Sequence, residues 1–130
     1  MVDKIKHCIG AHRFRSGFTP ETIEAKLLFD ADKLDVIGAV GIARSFMLAG
    51  KHGERLYSDV KIDEYLKENT GANGRVKDLS KHSSNLEFEL KLKQIPAKLY
   101  TEKAKEIAED RIKYMTEYFK TLKAEIDGSI

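Results

Sequence analysis

The chain contains no tryptophan, two prolines and one cysteine in 130 residues. A single thiol, Cys8, excludes an internal disulfide, so a reducing, cytoplasmic setting is expected. Two prolines leave long stretches without a helix breaker. Charge of one sign is also lacking: 23 Lys and Arg stand against 21 Asp and Glu. Binders of nucleic acid or of anionic membranes usually carry a basic excess, so neither partner is expected. The start, MVDKIKHCIG, holds no apolar run of signal-peptide length. The longest apolar stretch, VIGAVGIARSFMLAG at 36–50, is interrupted by Arg44 and Ser45, and is shorter than the ~20 residues that cross a bilayer. There is no repeat and no low-complexity segment.

Apolar residues make up 42% of the chain and charged residues 34%. This mixture excludes a disordered chain and fits a helical globule. A mass of 14.7 kDa predicts one domain spanning 1–130. Surface scaling gives it roughly 7,000 Å² folded against about 21,000 Å² unfolded.

Periodicity points to helices throughout. Val2, Ile5 and Ile9 recur at near-helical spacing. Residues 14–20, FRSGFTP, read as punctuation. Thr19 as N-cap and Pro20 at the first helical position predict the next helix. Its stripe is Ile23, Leu27, Ala31, Leu34 and Gly38. From Val36 onward the segment is apolar nearly all round and is expected to be buried on all sides. Gly38 and Gly41 suggest a close backbone approach there, and Gly50 and Gly53 suit the helix end.

Residues 51–83 are the least regular, with a short helix near 59–68 and a loop, NTGANG, at 69–74. His52 and His82 fall in these loop-like segments and read as solvated, while Cys8 reads as a small buried hydrophobe. LEFELKLK at 86–93 alternates like a strand. Its Glu87–Lys91 and Glu89–Lys93 spacings favour helix, which is the assignment made up to Pro96. Thr101 caps the clearest helix, with the stripe Ala104, Ile107, Ala108, Ile112, Met115, Phe119, Leu122 and Ile126. The fold class is all-α with a long C-terminal helix.

The chemically suggestive stretch is FDADKLDVIGAVGIAR at 29–44. On a helix Asp32 and Asp35 lie about 60° apart and can share a site, while Asp30 points nearly opposite to Asp32. A carboxylate beside an apolar segment needs a hydrogen bond, an ion pair or a metal. The residues alone leave two readings open. One is an internal Asp–Arg pair using Arg44, with Lys33 solvated; the other is a functional acidic site.

The wording ETIEAKLLFDADKLDVIGAVGIAR resembles the distal half of the HD-domain metal-dependent phosphohydrolases. IKHCIGAHRFRSG looks like the His-containing helix before that segment. The stretch from LEFELKLK to Gly128 looks like the closing helices. The resemblance implies a partial HD-type helical domain and hydrolysis of nucleotides or other phosphate esters or anhydrides with a divalent metal (Mn, Ni, Fe or Mg). It matches Asp32 to the metal-binding aspartate and Asp35 to an acidic residue supporting the site. His12 falls at a position near the metal, as a group that contacts phosphate or relays a proton. Lys91 and Arg111 fall on the substrate side.

The family pattern also calls for a first His and a His-Asp doublet. The four histidines here precede Cys8, Arg13, Gly53 and Ser83, so no doublet exists. The expectation is therefore a chain truncated on its N-terminal side relative to the family. Its site would be completed in a homo-oligomer or by a missing N-terminal partner chain. A different site built from His7, His12, Asp32 and Asp35 is a further reading. His7 and His12 lie about 140° apart on a helix, which makes joint chelation awkward. The alternative function is a catalytically inactive binding or assembly module on the same scaffold.

Overall fold

A computed structural model describes residues 1–13 and 17–130. It is all-α. In chain order the helices are α1 (Val2–Ala11), α2 (Ile23–Leu34), α3 (Gly38–His52), α4 (Ile62–Asn69), α5 (Ser84–Leu90) and α6 (Glu102–Ile126). Among the described residues no strand forms, and no helix is long and apolar enough to cross a membrane.

The core lies where α3, α5 and α6 meet. Ile37, Ile42, Phe88, Leu92, Ile95, Leu99, Ala104, Ala108, Met115 and Phe119 form one buried cluster. The rings of Phe88 and Phe119 stack with centroids 5.0 Å apart. The stripe expected on the last helix supplies this contact through Ala104, Ala108, Met115 and Phe119, whereas Ile126 is exposed. Thr101 caps α6 as anticipated, its hydroxyl accepting from the Ala104 amide. Helix at 84–90 agrees with the assignment made against the alternating pattern, but it ends at Leu90 and a 3-10 turn, Leu92–Gln94, replaces it before Pro96. Both expected ion pairs form, Glu87–Lys91 at 2.7 Å and Glu89–Lys93 at 3.1 Å.

Three expectations are corrected. First, α2 starts at Ile23 with Thr22 as its cap, not at Pro20; the Thr22 hydroxyl accepts from Ala25 N at 3.2 Å. Its inward face is Ala25, Phe29, Asp30 and Lys33, while Ile23, Leu27 and Ala31 face outward. A buried carboxylate and a buried ammonium displace the apolar stripe because each finds polar partners inside. Second, the helix ends at Leu34, and α3 begins afresh at Gly38. The turn depends on two glycines. Gly38 has φ +81°, with the Arg111 side chain where its Cβ would project. A Cβ on Gly41 would sit 2.3 Å from the Val36 carbonyl oxygen. Third, α3 is not buried on all sides, since Val40 and Met47 are 66% and 76% exposed. The reading of 14–20 as punctuation falls partly outside the described residues, at 14–16.

The irregular stretch 53–83 is tied down by side chains in place of ladders. Asn69 exchanges two hydrogen bonds with the Asp78 backbone, and Asn85 exchanges two with Ser58. Buried backbone groups must be paired, and here two buried asparagines do the pairing.

Candidate functional site

The three aspartates of α2 take three different environments. Asp30 is 2% exposed and accepts from Tyr100 N at 2.9 Å, Thr101 N at 2.8 Å and Thr101 Oγ1 at 2.7 Å. Its carboxylate thus sits at the N-terminus of α6, where the macrodipole favours negative charge. It clamps α2 to α6. Asp32 is half-exposed and accepts from the Lys33 ammonium at 2.6 Å. Lys33, expected to be solvated, is buried, and its Nζ also donates to the His12 carbonyl oxygen at 3.1 Å. Asp32 and the end of α1 are therefore joined through one ammonium. Asp35, at the C-cap of α2, pairs with Arg44 at 3.5 Å, both side chains being exposed. The Asp–Arg pair left open by the sequence forms, on the surface instead of inside.

His12 donates from Nδ1 to the Ile9 carbonyl oxygen at 2.5 Å. A neutral ring fixed in that way carries its lone pair on Nε2. His7 is engaged elsewhere, its Nε2 accepting from Glu21 N at 3.1 Å. No three His, Cys, Asp or Glu groups come together as a metal centre among the described residues. The alternative site from His7, His12, Asp32 and Asp35 therefore does not assemble. The residues present do not fit a complete divalent-metal site.

Beside these groups lies a cavity of about 680 Å³ between α3, α5 and the turn after α5. Val36, Leu48, Leu92 and Ile95 supply apolar surface. Arg13, Lys33, Arg44, Arg75 and Lys91 bring five cationic side chains against one carboxylate, Glu87. Lys91, singled out from the sequence, lines this cavity. Arg111 does not; its Nη1 donates to the Leu34 carbonyl oxygen at 2.5 Å, capping the end of α2.

Glu87 is held on both sides. His82 Nε2 lies 3.3 Å from Oε2, and Lys91 Nζ lies 2.7 Å from Oε1. Burial pushes the carboxyl up, but the hydrogen bond from His82 and the Lys91 charge outweigh it and bring it down to about 2. His82 is not solvated: it is 4% exposed, with Tyr65 Oη 2.6 Å from its Nδ1. Sequence reading missed Arg13, Arg75, Glu87 and His82 as site residues. Only the Glu87–Lys91 spacing gave a visible signal.

No family model matches the sequence. Over 131 aligned positions the chain is 34% identical to the uncharacterized protein YpgQ of Bacillus subtilis strain 168, covering 98% of this chain and 54% of that protein. The YpgQ crystal structure superposes with a TM-score of 0.70 at 36% identity, over 97% of this chain and 55% of that one. YpgQ has also been solved in complex with ADP; that structure matches with a TM-score of 0.60 at 37% identity, over 82% of this chain and 45% of that chain. An HD-superfamily hydrolase from Bacillus thuringiensis matches with a TM-score of 0.63 at 30% identity, over 82% of this chain and 47% of that one. The chain thus spans about half the length of the relatives it matches. Its similarity to HD-type proteins holds at the level of the superfamily.

Proposed function

We propose that the chain is the phosphate-binding half of an HD-type phosphohydrolase acting on nucleotides or similar phosphate esters. The observation that carries this reading is the cavity lined by Arg13, Lys33, Arg44, Arg75 and Lys91 and, among the described residues, by one carboxylate, Glu87. Clustered cations at a site of restricted solvent favour polyanionic ligands, and charge-assisted hydrogen bonds to phosphate are the strong ones. The apolar lining from Val36, Leu48, Leu92 and Ile95 suits a nucleobase or another flat apolar group. Likeness to YpgQ and to the Bacillus thuringiensis hydrolase supports the same class.

In this reading Lys91 and Arg44 bind phosphoryl oxygens and stabilise the charge that grows on them. Asp35 orients Arg44. Asp32, and His12 through Nε2, face the reacting side, and Asp32 contributes one ligand of a metal centre. Catalytic metal sites normally take about three protein ligands, so the remaining donors come from a further polypeptide segment or chain. The exposed apolar side chains of α3, Val40 and Met47, suit such a contact.

The test has two arms. Calorimetric titration with ADP should give binding that weakens in Lys91→Ala and Arg44→Ala. Incubation with Mn²⁺, a nucleotide panel and a polypeptide carrying the missing donors should give turnover that Asp32→Ala abolishes. Gel filtration above the monomer position would support assembly with a second copy, and elution as a monomer would oppose it.

A second reading, a catalytically inactive binding module, is favoured by the missing three-donor group. ADP binding without metal uptake or turnover would select it. Folded protein that binds neither ADP nor pyrophosphate would sink both.

A further inference from the structure

The cavity carries a buried polar chain behind it. Tyr65 and His82, each 4% exposed, lie in the long irregular region, and their rings stack at 5.8 Å. Tyr65 Oη is 2.6 Å from His82 Nδ1, His82 Nε2 is 3.3 Å from Glu87 Oε2, and Glu87 Oε1 is 2.7 Å from Lys91 Nζ. Glu87 as a carboxylate only accepts, so His82 donates to it from Nε2. In the neutral tautomer that makes this bond Nδ1 is an acceptor, and Tyr65 donates to it. Burial holds the Tyr65 hydroxyl above its ordinary range, which keeps that proton in place. The charged groups bearing on this chain are Glu87 and Glu54, which act on Tyr65, and Lys91 and His82, which act on Glu87.

An isolated surface Lys–Glu pair would hold its ammonium loosely, because the entropy of two long side chains opposes it. Here one partner is anchored from behind. We infer that Tyr65, His82 and Glu87 act as a positioning chain that fixes the Lys91 ammonium at the cavity, and that this chain sets the affinity for a phosphate-bearing ligand. The ligand half of the statement rests on the proposed phosphate-binding reading; the positioning half stands on the hydrogen-bond geometry. His82 touches no ligand and acts through Glu87.

The experiment combines carboxyl ¹³C NMR with ADP titration of the full chain. In the unaltered protein the Glu87 carboxyl titrates near 2, as its surroundings dictate, against 4.5 for an unperturbed glutamate. His82→Ala should move it upward and raise the Kd for ADP by roughly five- to tenfold, the scale of one weakened charge-assisted contact. His82→Gln, whose amide reaches the Nε2 position, should restore most of the affinity. In a Lys91→Ala background His82→Ala should change the Kd by less than about twofold, since interacting residues are not additive. An equal loss in both backgrounds, or no rescue by glutamine, overturns the positioning role. If ADP binds and Glu87 does not move in His82→Ala, the chain is refuted while the phosphate-binding reading stands. If ADP does not bind, the affinity claim is refuted together with that reading, and the Glu87 titration alone decides the positioning. Should His82→Ala fail to fold, Tyr65→Phe frees Nδ1 and must raise the Glu87 titration; no movement there counts against the chain.

Discussion

Replacing Asp30 tests how α2 is tied to the rest of the fold. The carboxylate is 2% exposed and accepts three hydrogen bonds, from the amides of Tyr100 and Thr101 and from the Thr101 hydroxyl. Hydrogen bonds to charged groups contribute about 1.5–3 kcal/mol each but do not add fully, and the position beside the first turn of α6 adds up to ~2 kcal/mol. Asp30→Ala leaves two amides without this partner, so about 3–5 kcal/mol is expected to be lost. Asp30→Asn keeps one acceptor oxygen and should lose about 2 kcal/mol. Asp35→Ala, at the end of the same helix, is the internal control. Its pair with Arg44 leaves both side chains exposed, and exposed pairs contribute less than about 1 kcal/mol. Urea unfolding followed by helical circular dichroism measures all three, with an unchanged slope required so that midpoints report stability. An Asp30→Ala midpoint indistinguishable from Asp35→Ala would refute the reasoning.

Other expectations follow from single contacts. Gly41→Ala places a Cβ 2.3 Å from the Val36 carbonyl oxygen, an overlap with backbone that should cost at least ~2 kcal/mol in the same unfolding assay. Glu87 has a folded value near 2 against 4.5 unfolded, so the stability it supplies is complete above 4.5 and is lost as pH falls from there toward 2. Unfolding midpoints across that window should drop by up to about 3 kcal/mol in the unaltered protein and by less in His82→Ala. Asn85→Ala removes both hydrogen bonds to the Ser58 backbone, and hydrogen exchange should show the Ser58 amide opening before the core of α6.

What could be read from residues alone depended on how locally each element is determined. α6 was legible because its cap, its stripe and its charged face agree over seven turns. The break between α2 and α3 was not, because it rests on Gly38 and Gly41 meeting Arg111 and Val36, and glycine inside a helical pattern signals only weakness. The inward face of α2 was misread for a related reason. Hydrophobic periodicity ranks Ile23 and Leu27 above Asp30 and Lys33, yet the tertiary partners of the charged pair lie 21 to 71 residues away in the chain. His82 gave no sign of burial, because its partner Tyr65 lies 17 residues upstream in a segment without strong periodicity. Lys91 stood out beside Glu87 because an i,i+4 pair is a local feature.

The same distinction bears on how a phosphate would enter the cavity. Arg44 already has Asp35, Lys33 has Asp32 and Lys91 has Glu87, so binding exchanges partners instead of capturing bare cations. The three exchanges are not equal. Asp35 is exposed and can give up Arg44 to water at small cost, since screened pairs of that kind are weak. Asp32 is half-exposed and can stay hydrated after Lys33 turns away. Glu87 is partly buried and retains His82, so its negative charge stays in the cavity wall when a phosphate arrives. Lys91 must then bridge the two anions, which needs its ammonium to lie between them. A cation that bridges in this way is held at a fixed place, whereas Arg44 follows its ligand. In the proposed reading, orientation of a bound phosphate therefore falls to Lys91, and general attraction to the arginines.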